Sequence, residues 1–136
     1  MNSVGRKEAS LLLIEENNAI RKSLSDWIDM TFPDVRLIEA NDHSNGIFLS
    51  RSELPDVVLM DISSLGKGGI EAVRNIKASH PHTTIVALVT QDHEPYREAL
   101  LGAGAEACAS LWRIRTDLLP KLEERLTAPV AGAGNG

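Results

Sequence analysis

Two acidic groups stand where apolar runs stop: Glu15-Glu16 after Leu11-Leu12-Leu13-Ile14, and Asp61 after Val57-Val58-Leu59-Met60. Clustered carboxylates repel one another, and a hard cation relieves that repulsion. A hard cation and a phosphoryl group would suit such a site. A single acid at a strand end needs no function, since it meets water there; three drawn together do.

For distant carboxylates to meet, their runs must be neighbouring parallel strands opening on one rim. The rest of the chain has that organisation: short apolar runs alternate with amphipathic stretches, as in repeated βα units around a parallel sheet. The first and third runs are apolar throughout, as expected for strands covered on both faces. After Asn17-Asn18, which can cap, Ile20, Leu24, Trp27, Ile28 and Met30 recur at helical spacing until Phe32-Pro33-Asp34. A second strand over 35–40 and a helix over 42–51, weakened by Gly46, precede the third strand at 57–61. A Ser/Gly loop over 62–68 leads to a helix over 69–79, closed by His80-Pro81-His82. A fourth strand covers 83–89. Asp92 can cap a fourth helix with Pro95 in its first turn, ending at Gly102-Ala103-Gly104. A fifth strand covers 106–110, and Thr116 can cap a fifth helix that holds Pro120 in its first turn. Residues 1–9 read as a flexible start, 10–127 as one domain, and 128–136 as linker or flexible tail.

Composition narrows the classes. The 136 residues are one domain's worth, and a net charge of -5 argues against binding nucleic acid or an anionic membrane through the overall field. No apolar stretch is long enough to span a bilayer and the first ten residues lack a signal peptide's apolar middle, so a cytoplasmic protein is expected. Cys108 lies in a small apolar run and reads as a buried, reduced thiol. Gly66-Lys67-Gly68-Gly69 would need a third glycine where Glu71 stands to make a dinucleotide fingerprint. With no phosphate-cradling glycines after the first strand, a nucleotide or flavin binder is the weakest alternative. The four histidines show no zinc spacing. A dehalogenase-type phosphatase would want a second Asp where Ser63 stands. Trp27 is expected in the core; Trp112, on a loop that should meet solvent, is expected to pack against the fifth helix, with a partner contact as the alternative.

Taken in order, Leu-Leu-Leu-Ile-Glu-Glu-Asn-Asn-Ala-Ile-Arg, Pro-Asp-Val-Val-Leu-Met-Asp-Ile, Gly69-Ile70-Glu71-Ala72, His80-Pro81-His82-Thr83 and Gly102-Ala103-Gly104-Ala105 resemble the receiver domain of bacterial two-component response regulators. The likeness covers residues 11–126. It implies a flavodoxin-like (βα)5 three-layer sandwich with a five-stranded parallel sheet of order 2-1-3-4-5. It further implies that Asp61 is the phosphoacceptor, taking its phosphoryl group from a sensor histidine kinase or phosphotransfer protein. Glu16 would bind Mg2+ directly, with Asp61 and the Ser63 carbonyl as further ligands and Glu15 acting through water. Such a domain is a signalling acceptor and not an enzyme beyond self-phosphorylation and slow dephosphorylation, and dimerisation through the fourth and fifth helices is a family expectation.

The same register exposes departures. Where the family's switch has Ser or Thr this chain has Val89, with Thr90 one step late, and where it has Lys this chain has Leu111. Arg113 and Lys67 are the candidate substitute cations. Glutamate at position 16 is also longer than the usual aspartate by a methylene. The resemblance thus implies phosphorelay signalling with a weakened switch; the alternative is a pseudo-receiver that serves as a protein-protein interaction module without phosphorylation.

Overall fold

The computed structural model of the protein describes residues 8–62, 68–90 and 94–126. Five parallel strands, β1 (Ser10–Ile14), β2 (Arg36–Ala40), β3 (Val57–Asp61), β4 (Thr84–Val89) and β5 (Ala107–Ser110), form one sheet in the order β2-β1-β3-β4-β5. Between them run α1 (Asn18–Thr31), α2 (His43–Glu53), α3 (Gly68–Ser79) and α4 (Glu94–Ala103), and α5 (Leu119–Leu126) follows β5. The flavodoxin-like arrangement expected from the sequence is the one observed.

Strand alternation divides the apolar residues between two cores. Leu11, Leu13, Val57, Leu59, Val86 and Leu88 face Leu24 and Ile28 of α1 and Leu122 and Leu126 of α5. Leu12, Ile14, Val58, Met60, Ile85 and Ala87 face Val73 and Ile76 of α3 and Leu100 of α4. Buried on both sides, β1 and β3 are apolar from Leu11 to Ile14 and from Val57 to Met60, and their acids, Glu15 and Asp61, come only at the strand ends.

Local chemistry sets the helix ends. Asn17 Oδ1 accepts from the Ile20 amide at 2.9 Å to start α1, and Asp42 Oδ1 accepts from the Asn45 amide at 2.8 Å to start α2. α2 stops on Leu54, whose left-handed φ of 49° is unusual for a side chain other than glycine. Gly46 costs α2 helix propensity for a packing reason: a Cβ there would lie 2.5 Å from Ile14 Cδ1.

Three local expectations need correction. Thr116 does not cap the last helix; a π-helical turn, Ile114–Leu118, starts it, with Arg113 at the cap position and no side-chain cap bond. Trp112 is 75% exposed and not packed against α5, and Met30 is exposed and not on the buried stripe of α1. Trp27 is half-buried against the core, edge-on to Phe32, and Cys108 is buried as expected. The Asp92 cap, residues 1–7 of the leading segment and the tail 128–136 lie outside the described residues.

Candidate functional site

Parallel register brings the two principal acids together. Ile14 pairs with Met60, so one residue further along both strands Glu15 comes opposite Asp61. The Glu15 amide donates to the Ala40 carbonyl at 3.0 Å, which continues the sheet past the formal end of β1 and aims Glu15 to the same side as Leu13. Asp61, the last residue of β3, lies on the same side as Leu59, and both acids are buried. The switch point of this strand order, between β1 and its neighbours, is where sites form in open α/β sheets.

Burial makes this pair electrostatically costly. The Glu15 carboxyl is pushed up to about 8, first by loss of solvent, then by its hydrogen-bonding contact and charge repulsion with Asp61. The amide of Asn17 donates to Glu15 Oε2 at 3.0 Å and opposes the rise. Glu15 Oε1 is buried with no hydrogen-bond partner. A proton shared with Asp61 or a cation bound between the two acids would each relieve that contact. Arg21 secures the loop from outside: its Nη1 donates to the Glu15 carbonyl at 2.9 Å, and its Nε lies 3.6 Å from Glu39. The sequence signal for Arg21 was its place one helical turn after the acids, on the face that returns toward β1.

Glu16 does not join the pair. It is exposed, and the described residues contain no group of three acidic, histidine or cysteine side chains placed to hold one metal ion. Strand parity explains the correction: neighbours at a strand end point to opposite sides, so with Glu15 turned toward Asp61 its neighbour turns to solvent. The structure thus places Glu15, and not Glu16, against Asp61. Ser63 and Lys67 lie outside the described residues.

The sequence pattern of the response regulator receiver domain matches residues 11–110, nearly all of the sheet that builds this site. The chain belongs to the response regulator receiver domain family. This receiver is 40% identical over 96 residues to the response regulator GacA of Pseudomonas aeruginosa, a match covering 70% of this chain and 44% of that protein. It is 30% identical to the transcriptional regulatory protein LiaR of Bacillus subtilis, covering 88% of this chain and 62% of LiaR. The chain thus spans about half the length of the curated relatives it matches. Among solved structures, a two-component response regulator of the LuxR family from Aurantimonas superposes with a TM-score of 0.78 at 24% identity, covering 89% of this chain and 86% of that one. The receiver domain of NarL from Mycobacterium tuberculosis does so with a TM-score of 0.78 at 17% identity, covering 90% and 98%. At such identities the structures speak for the fold. The protein is a receiver domain of two-component signalling.

In this receiver the positions of the switch are apolar in place as well as in name. Val89 ends β4 packed against the α3 and α4 side, the core opposite to the one below Asp61. Leu111 packs into the α1 and α5 core, its amide donating to the Val89 carbonyl at 3.0 Å. Thr90 makes no hydrogen bond to either acid and lines a cavity beyond β4 and β5. Arg113 is paired with Asp117 at 3.2 Å. Asp117, which the sequence reading passed over, also accepts from the Ser110 amide at 3.2 Å and so fixes the turn after β5. An acid four residues after an arginine was the available signal.

Proposed function

We propose that Asp61 accepts a phosphoryl group from a histidine kinase or phosphotransfer protein, with Mg2+ bound at Glu15 and Asp61. The observation that supports this is the buried Glu15–Asp61 contact with one Glu15 oxygen lacking a partner. Bound there, the cation would supply charge neutralisation for both the acids and the incoming phosphoryl oxygens. Glu16, exposed beside the pair, would reach the ion through water, and Ser63 would add its carbonyl.

The chain's own part is nucleophilic. An Asp61 carboxylate oxygen forms the new bond to phosphorus, the donor's phosphorus–nitrogen bond breaks, and the proton needed by the leaving imidazole comes from solvent. The nucleophile in this proposal is the Asp61 carboxylate, and the cation held beside Glu15 would offset the repulsion between the two acids.

The response to that event is read as weakened. In receivers with a hydroxyl and an ammonium at these positions, the phosphoryl group draws both toward it; Val89 and Leu111 can form neither bond. Each absent charge-assisted bond removes about 1.5–3 kcal/mol of bias, a tenfold or greater loss of coupling. Those two apolar positions favour a second reading, in which the fold acts as a phosphorylation-independent docking module. Intact mass after incubation with Mg2+ and acetyl phosphate separates the two. One added phosphoryl mass, absent in Asp61→Asn, supports the acceptor; no addition under conditions that modify an ordinary receiver supports the docking module. A downstream output in transcription, by analogy with the naming of LiaR, is part of the same proposal.

A further inference from the structure

Strand β1 pairs with β2 up to Ile14 and Ala40, and Glu15 extends the ladder with its amide, which donates to the Ala40 carbonyl at 3.0 Å. In a parallel ladder the amide and the carbonyl of one residue bond to the same neighbouring strand, on either side of the residue opposite. At the other end of this pair the Ala9 carbonyl accepts from the Arg36 amide at 2.9 Å. By the same register the Glu15 carbonyl would accept from the Asp42 amide, but at Asp42 the chain has left β2 and caps α2. A guanidinium stands in that place. Arg21 Nη1 donates to the Glu15 carbonyl at 2.9 Å, and Nη2 donates to Asn18 Oδ1 at 2.8 Å. The Arg21 side chain is only 20% exposed and is also held from β2, its Nε 3.6 Å from Glu39 Oε1, while Glu39 Oε2 accepts from Ser25 Oγ at 3.3 Å.

We propose that Arg21 is the positioning residue of the acid pair: standing in for the missing β2 amide, it prolongs β1 by one residue and so turns Glu15, rather than Glu16, toward Asp61. Side chains alternate along an extended strand, so which acid faces inward follows from whether residue 15 keeps ladder geometry. With its amide and its carbonyl both bonded, the Glu15 backbone is fixed to the sheet, and the Asn17 amide then meets Glu15 Oε2 at 3.0 Å. A hydrogen bond from a guanidinium is charge-assisted and stronger than the amide bond it replaces, and a planar fork serves the Glu15 carbonyl and Asn18 at once. This assignment rests on reading Glu15 and Asp61 as the cation site, but the geometry it requires is measurable with no cation present.

The test is amide hydrogen exchange of the full chain in chelator, followed by Mg2+ titration read from amide NMR shifts. In Arg21→Gln, exchange at Glu15 and Asn17 should quicken by about tenfold or more relative to Leu12 of β1 and Leu59 of β3, the loss of one charge-assisted bond, and Mg2+ should bind more weakly by a similar factor. Glu39→Gln, which loosens the guanidinium from its more exposed side, should act in the same direction by about two- to fivefold, and it decides the matter if Arg21→Gln does not fold. The proposal is overturned if exchange at Glu15 and Asn17 is unchanged, if it quickens only in step with the central strands as a general brace would give, or if the variants bind Mg2+ as tightly as wild type. Wild type that binds no Mg2+ removes the cation reading instead, and the exchange result alone then decides for or against Arg21.

Discussion

Replacing Glu15 by glutamine changes a charge and almost no volume, and leaves an amide that can still meet Asp61. In the folded protein the Glu15 carboxyl titrates at about 8 against an ordinary 4.5, so between those values the native state holds more protons than the unfolded one. Stability from this residue is thus fully present below about pH 4.5 and drains away as pH rises toward about 8. At about 1.4 kcal/mol per pH unit the loss reaches about 3 kcal/mol near neutrality and levels off at about 5 kcal/mol above the folded value. Glutamine has no such slope. Urea unfolding of wild type and Glu15→Gln in chelator should therefore show the variant gaining on wild type as pH is raised, with the gap flat once the folded value is passed. Mg2+ should then restore much of the wild-type deficit, more in alkali than in acid because proton and cation compete for the same oxygen, and should do little for the variant. A gap that fails to widen between about pH 5 and about pH 8 would refute the electrostatic reasoning. Equal stabilisation of both proteins by Mg2+ would remove Glu15 from the cation site.

Three other outcomes are expected. Leu54→Gly should raise stability by about 0.5–1 kcal/mol in denaturant titration, because glycine relieves the left-handed φ of 49° while giving back part of that gain in unfolded-state entropy. Gly46→Ala should lower stability by about 1–3 kcal/mol despite its better helix propensity, since the new methyl would meet Ile14 at 2.5 Å; a neutral result would show that Ile14 can move aside. Introducing Val89→Thr with Leu111→Lys should strengthen phosphorylation-dependent change in α4 and β5 by about tenfold or more, read as the difference in hydrogen exchange with and without acetyl phosphate. No increase would place the weakness elsewhere than at those two residues.

What could be read beforehand followed from strong local patterns. Leu11 to Ile14 and Val57 to Met60 are apolar without interruption, and that alone marks strands buried on both faces with acids at their ends. The meeting of Glu15 with Asp61 was legible once those strands were taken as neighbours. The placing of Glu16 was not, because side-chain parity depends on the pairing register, and register is a tertiary property that two adjacent acids do not reveal. The start of the last helix was misplaced for a similar reason. Thr116 is a good cap in isolation, but Asp117 is held by the Ser110 amide and Leu118 is buried, which draws the chain into a wider turn from Ile114. Trp112 was expected to pack against the fifth helix from a loop that should meet solvent, and the fixed turn after Ser110 leaves it exposed instead.

Family likeness is matched only as far as residue 110, yet the interior does not close there. Leu118, Leu122 and Leu126 are buried against Leu11, Leu13 and Leu59. A fragment trimmed at the border of the likeness would strip those three leucines from the central strands, about 1.5–3 kcal/mol each, a sum comparable with the whole 5–15 kcal/mol that keeps a domain folded. Any shortened version used for structural or binding work must therefore retain the final helix, or it will present the floor of its own sheet to solvent and aggregate through it.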